Sequence, residues 1–300
     1  MATAKKRTTT SSATTRMGVP KTYKLYIGGK FPRSESGRSF EVTNAKGEFL
    51  ANASLASRKD AREAVVAARK AVKGWSGATA YNRGQVLYRI AEVLDGRRAQ
   101  FVEELVATGS TPKAAENEVD AAIATWIYYA GFSDKYSQVI GASNPVAAPY
   151  FNFSLPEPTG VVAIVAPDPA NWTLRGLAAT IAPAIVAGNT VVVVARETNP
   201  LSAISFAEVL ATSDVPGGVV NILTGDACEI APHLAAHMDV NAIDLAGCVD
   251  PEFAKDMEIK ATDNLKRVAR PRDFARTHVG SLDEIARFVE LKTVWHPIGV

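Results

Sequence analysis

An α/β fold built on a parallel sheet is what this sequence predicts, and three observations predict it. Short apolar runs occur at 161–166, 190–194 and 219–223, with a weaker fourth at 242–246. Segments of helical spacing lie between them, at 174–186, 200–211 and 229–236. Glycine, proline or polar residues bound each run, as at Gly160 and Pro167. Strands that read as continuous apolar runs are buried on both faces, the condition of a parallel sheet covered by crossover helices. Such sheets bind ligands at the carboxyl ends of their strands.

Residues 1–20 are rich in Thr, Ser, Ala, Lys and Arg and contain no continuous apolar stretch, so they do not read as a signal peptide. They are expected to form a disordered tail; a basic docking arm is the alternative. Tyr23 to Phe31 alternates around Gly28-Gly29, and a Gly-Gly pair accepts the positive φ values of a tight hairpin turn. From Ser57, a plausible N-cap, Ala61, Ala64, Val65, Ala68 and Val72 recur at helical spacing. A second helical pattern runs over 82–108 and a third through Val119, Ile123, Trp126 and Tyr129, with Pro112 suited to its first turn. Asn144-Pro145 closes this section. After Gly247 the pattern degrades into a charged stretch with one expected helix around 251–268. Ser281 with Glu284 reads as a capping box opening a helix over 282–288, and 290–295 reads as a strand.

The bulk numbers narrow the function classes. A hydrophobic fraction of 47% against 21% charged residues is that of a chain with a packed core. A net charge of +2 gives no argument for a nucleic-acid partner, and no apolar run is long enough to span a bilayer. Two cysteines, Cys228 and Cys248, make no disulfide framework, so a cytoplasmic setting is expected.

Several phrases together carry a resemblance. Glu157 to Val162 (EPTGVV), Pro183 to Val192 (PAIVAGNTVV), Thr198 to Ala203 (TNPLSA) and Pro216 to Gly225 (PGGVVNILTG) stand in order. They resemble the cofactor-binding core of the aldehyde dehydrogenase superfamily. YKLYIGGKF at Tyr23–Phe31, RGQVLYRIA from Arg83, YYAG from Tyr128 and NLKRV from Asn264 are similar to further family phrases. The resemblance implies a Rossmann-like sheet plus a small β oligomerisation sheet made from both chain ends. It lapses at Ala269–Asp273, where the family's ELGGK motif would stand, and resumes at Phe288–Trp295, similar to a closing YTEVKTVW strand. The expected organisation is a tail at 1–20, a cofactor-binding domain with its hairpin at 21–268, a linker at 269–281 in place of the catalytic domain, and an oligomerisation strand at 282–300.

Aldehyde oxidation needs a thiolate to attack the carbonyl and a base to activate water. The resemblance places these on a catalytic-domain cysteine and on the Glu of ELGGK, and neither motif occurs here. Cys248 falls at the end of the family's FTGS phrase, near the cofactor phosphates; both cysteines are expected as small buried residues. Asn171 is the vestigial candidate for an oxyanion donor, in a loop altered near Asp168. The resemblance puts Glu197 on the cofactor ribose and Gly225, Gly247 and Cys248 near its phosphates, but Val194 replaces the ribose-binding lysine. Arg196 could compensate; otherwise NAD or NADP is expected to bind weakly or not at all. His233 and His237 lie four apart, yet a surface helix is a better reading than a metal site. Three functions remain in play. One is a non-catalytic structural or regulatory subunit paired with a full-length aldehyde dehydrogenase. The others are a nucleotide-binding sensor and an active oxidoreductase with an unrecognised nucleophile.

Overall fold

A computed structural model of the chain describes residues 21–167, 173–198, 200–272 and 280–299. It opens with β1 (Thr22–Tyr23), followed by β2 (Ser39–Thr43) and β3 (Phe49–Ser54), which form a small sheet in the order β1-β3-β2. The Gly28-Gly29 turn has φ values of 61° and 79°, and Ile27 and Lys30 exchange backbone hydrogen bonds across it. Four helices follow: α1 (Arg58–Ser76), α2 (Ala80–Gly96), α3 (Arg98–Ala107) and α4 (Pro112–Phe132). Ser57 caps α1 in a reciprocal box with Asp60. The continuous pattern expected over 82–108 divides at Arg97, whose φ of −107° and ψ of 12° leave the helical region.

After the short α5 (Tyr136–Ile140) come β4 (Ala142–Asn144) and β5 (Tyr150–Pro158). The α/β core then runs β6 (Val161–Val165), α6 (Thr173–Val186), β7 (Thr190–Ala195), α7 (Pro200–Ala211), β8 (Val220–Thr224), α8 (Ala227–Ala236) and β9 (Ala242–Asp244). Next are α9 (Pro251–Ala261) and β10 (Arg267–Ala269). The five strands pair in the order β10-β9-β6-β7-β8, all parallel. Their alternating side chains divide the core. Val162, Ile164, Val191 and Val193 pack on the α2, α4, α6 and α7 side. Val161, Ala163, Val165, Val192 and Val194 pack on the α1, α8 and α9 side. β10 straddles the domain boundary expected at 268, and its three residues, flanked by Lys266 and Arg270, carry little apolar signal of a strand.

The chain ends with α10 (Leu282–Ala286) and β11 (Val289–Pro297). Ser281 caps α10 through the Asp283 N–H, but Glu284 does not close the box; its carboxylate goes to Arg272 and Arg287. The small sheet is also built differently from expectation. β11 pairs antiparallel with β5 and β5 with β4, so the sheet order is β11-β5-β4. The N-terminal segment instead docks on the parallel sheet, where Tyr26 and Ile222 exchange backbone hydrogen bonds. Tyr26 is almost fully buried there, and burial of its ring holds the hairpin to β8 rather than to β11.

The β11 register fixes which backbone groups face outward. Thr159 N donates to Phe288 O and Ile298 N to Pro149 O, so the even-numbered residues of this ladder bond to β5. Leu291, Thr293 and Trp295 therefore send their N–H and C=O groups away from β5, and no strand among the described residues receives them. Asn189 anchors this strand to the core: its side chain accepts from Gly160 N at 2.8 Å and donates to Phe288 O at 2.9 Å. No helix among the described residues is long and apolar enough to cross a membrane.

Candidate functional site

The candidate residues gather at the carboxyl end of the parallel sheet. Glu197 follows β7, Gly225 follows β8, and Gly247 and Cys248 follow β9. Asn171 lies outside the described residues.

Each glycine has a local cause. The Gly247 amide donates to Val165 O at 2.9 Å, and a Cβ there would stand 2.0 Å from Ala166 O. Only glycine permits so close an approach of the β9 loop to β6. Gly225 has φ 138°, and a Cβ would meet Leu55 Cδ1 at 2.9 Å. The neighbouring Thr224 binds the same segment, accepting from Ala56 N at 2.8 Å and donating from Oγ1 to Ser54 O at 2.6 Å. Both glycines are thus required by contacts within the chain.

Arg196 crosses the end of the sheet. Its Nη1 donates to Gly247 O at 3.2 Å, although β7 and β9 are separated by β6. The crevice beneath, lined by Ala166, Pro167, Thr173, Leu177, Ala195, Arg196 and Ala203, holds about 10 Å³. A water needs about that much, and small-molecule sites are of order hundreds of Å³. With Arg196 on Gly247, this crevice has room for no more than a water. Val194 is fully buried among apolar neighbours, so a lysine here would place its stem in the core. The first core helix shows the same closure, because Leu174 N donates to the buried carboxylate of Glu118 at 2.7 Å. A helix N-terminus suits an anion, and here the chain supplies its own.

Glu197 is exposed. Burial raises its carboxyl above the ordinary value, and Asp226 and Glu229 add to the shift. Cys248 is buried, and burial pushes its thiol up to about 12; Arg196 opposes the shift and Asp244 adds to it. Cys248 also lines a separate depression of about 280 Å³ with Val249, Pro251, Ala254 and Pro271. Cys228 is exposed, contrary to the expectation of a buried residue, because the first turn of α8 turns it to solvent. Its thiol is also raised, first by burial and then by Asp226. Neither thiol is poised as a thiolate.

Sequence reasoning missed a buried ion cluster beside this end of the sheet. Arg272 binds Asp244 through two nitrogens at 2.7 and 2.9 Å, and binds Glu284 at 2.7 Å. Glu284 also accepts from Arg287 at 3.1 Å. Burial acts to lower the Arg272 pKa, but Asp244 and Glu284 outweigh it and hold the guanidinium charged. An Asp inside the apolar run at 242–246 was the available signal, since a fully buried carboxylate requires a cation. Arg272 stands in the stretch where the resemblance lapses. No group of three or more His, Cys, Asp or Glu among the described residues could hold a metal ion.

Comparison with known proteins places this architecture. The model of the aldehyde dehydrogenase family matches residues 31–270. Cytosolic 10-formyltetrahydrofolate dehydrogenase of Mus musculus is 35% identical over 257 residues, covering 82% of this chain and 28% of that protein. Retinal dehydrogenase 2 of Gallus gallus is 35% identical over 252 residues, covering 82% of this chain and 47% of that protein. The NAD+ complex structure of aldehyde dehydrogenase from Bacillus cereus superposes with a TM-score of 0.77 at 26% identity, over 83% of this chain and 50% of that one. The chain thus spans about half, or less, of the length of the relatives it matches.

Proposed function

The chain belongs to the aldehyde dehydrogenase family, and on that premise we propose that it works without oxidising an aldehyde, as a structural or regulatory subunit beside a complete aldehyde dehydrogenase in the cytoplasm. The observation that carries this reading is the Arg272 clamp. The Arg272 bonds to Asp244 and Glu284 join the segment after β10 directly to α10, and α10 leads into β11. The stretch that resembles the approach to a catalytic base therefore ends in a structural ion cluster.

The cysteines support the same reading. Cys228 and Cys248 are the two cysteines of the 300 residues, and both thiols are held above their ordinary pKa. The reading extends to the cofactor. Arg196 lies on Gly247 and the crevice is closed, so NAD or NADP binds weakly or not at all. Any binding would use Glu197 for the ribose after Arg196 has let go of Gly247. Gly225 and Gly247 would then allow the close approach of the phosphates.

The partner is proposed to be a full-length aldehyde dehydrogenase subunit, met by the outer edge of β11. An edge with unpaired N–H and C=O groups is a template for strand addition. Leu291 and Trp295, each 58% exposed, offer apolar area on that edge. Native mass spectrometry of material copurified from the producing organism tests the assignment. A complex containing a complete aldehyde dehydrogenase supports it, and a lone monomer overturns it. Micromolar NAD affinity in calorimetry would instead favour the nucleotide-sensor reading.

A further inference from the structure

Two pairs of side chains, far apart in sequence, face one groove on the side of the molecule formed by α1 and α8. Arg58 and Arg62 are one helical turn apart on α1, and His233 and His237 are one turn apart at the end of α8 and its cap. All four line a groove of about 470 Å³, together with Ala61, Leu234, Ala236 and Met238. A spacing of four puts both members of each pair on one helix face, and the packing of α1 against α8 turns the two faces toward each other.

The charges in this groove are of one sign. No acidic residue lines it. The nearest acids on α8 and its following turn are taken up elsewhere: Glu229 pairs with Arg38 at 3.3 Å, and Asp239 pairs with Arg69 at 3.8 Å. On α1, Asp60 is buried in the capping box and Glu63 does not line the groove; Glu35, which precedes β2, pairs with Lys59 at 3.1 Å. Arg58 and Arg62 enter no ion pair among the described residues. A concavity lined by one sign of charge over apolar walls concentrates counter-ions. Two guanidiniums beside two imidazoles repel a metal cation, so the spacing of His233 and His237 acquires the opposite meaning.

The tautomer of His237 agrees with an anionic ligand. The Asp239 N–H donates to His237 Nδ1 at 3.1 Å, so the neutral ring carries its proton on Nε2. His237 can therefore donate a hydrogen bond without first being protonated. Burial lowers its pKa, with Lys266, Arg62 and Arg69 acting in the same direction and Asp239 against them.

We propose that the α1/α8 groove is a binding site for a small phosphate-bearing anion, held by Arg58, Arg62 and the imidazoles of His233 and His237. Guanidiniums match phosphate oxygens in paired hydrogen bonds, and Met238 with Ala236 offers an apolar wall to whatever carries the phosphate. This site is separate from the crevice at Arg196 and does not depend on the reading of that crevice.

The test uses the full chain, with phenyl phosphate and inorganic pyrophosphate as probes. Calorimetry measures affinity, and NMR of the His233 and His237 ring protons reports the location. Saturable binding of either probe is expected, with both rings shifted. An Arg58→Gln/Arg62→Gln double variant, checked for an unchanged circular dichroism spectrum and melting curve, should bind about tenfold or more weakly. Tighter binding of phenyl phosphate than of pyrophosphate identifies an organic phosphate ester; the reverse identifies a free polyphosphate. Absence of binding by both probes at 10 mM, on the order of the weakest useful affinity, overturns the proposal. So does binding that the double variant leaves unchanged.

Discussion

Arg272 grips Asp244 with both ends of its guanidinium, at 2.7 and 2.9 Å, and Asp244 is fully buried at the end of β9. Removing one member of such a pair leaves the other charged and without its counter-ion in a dry site. Arg272→Met is expected to destabilise the fold by about 3–5 kcal/mol, whereas an Asp244→Leu/Arg272→Met double variant recovers a large part of that loss. Urea unfolding of the two single variants and the double variant measures it. Additive losses would show that the pair is not coupled.

Gly247→Ala introduces a methyl group where Ala166 O would be 2.0 Å away. The β9 loop must move off β6, breaking the Gly247 N to Val165 O bond and disturbing the Arg196 contact. A loss of about 1–3 kcal/mol is expected, seen as a lower unfolding midpoint. A variant as stable as the parent would place the strain elsewhere.

Burial pushes the Cys248 thiol up to about 12 from its ordinary value of 9.0. Between these values the unfolded chain has lost the proton and the folded chain keeps it, so stability falls as pH rises through about 9 to 12. Cys248→Ala should remove the part of this loss that sets in near 9 and leave the part above about 10 that the buried phenols of Tyr23 and Tyr26 contribute, as measured by melting at several pH values. Iodoacetamide followed by peptide mapping should label exposed Cys228 before Cys248. Equal labelling would mean that the β9 loop opens.

Because neither thiol is poised to ionise, incubation with NAD or NADP and a panel of aldehydes should give no reduced cofactor above blank. The measurement is absorbance of the reduced nicotinamide. Turnover that disappears in Cys248→Ser would make Cys248 a nucleophile and overturn the proposed function.

Thr293→Pro removes an outward N–H from the β11 edge while leaving the even-numbered bonds to β5 formally intact. Trp295→Lys places a charge on the same edge, a device that blocks strand addition. Each is expected to reduce copurification of the partner severalfold while the parallel core still melts cooperatively. Undiminished copurification would move the interface away from β11.

Much of the fold was legible because its signals are local. The buried strands β6, β7 and β8 announce themselves as uninterrupted apolar runs, α1 by its period and its cap at Ser57, and α4 by its period and Pro112 in its first turn. The turn at Gly28-Gly29 follows from the φ values that two glycines permit. The strands β4, β5 and β10 were not legible, since each is short or polar on one face and is stabilised by a partner remote in sequence.

The candidate site divides in the same way. That Glu197, Gly225, Gly247 and Cys248 collect at the carboxyl ends of parallel strands is already implied by the alternation of strand and helix along the chain. Tertiary structure alone decided what those residues meet. Arg196 reaches over β6 to Gly247, Glu284 leaves its own capping box for Arg272, and the hairpin at Tyr26 chooses Ile222 over the final strand. Local spacing encodes which face of an element is buried. It does not encode which buried or charged group of another element will satisfy a polar atom there, and that choice is made only when the layers close and water is excluded.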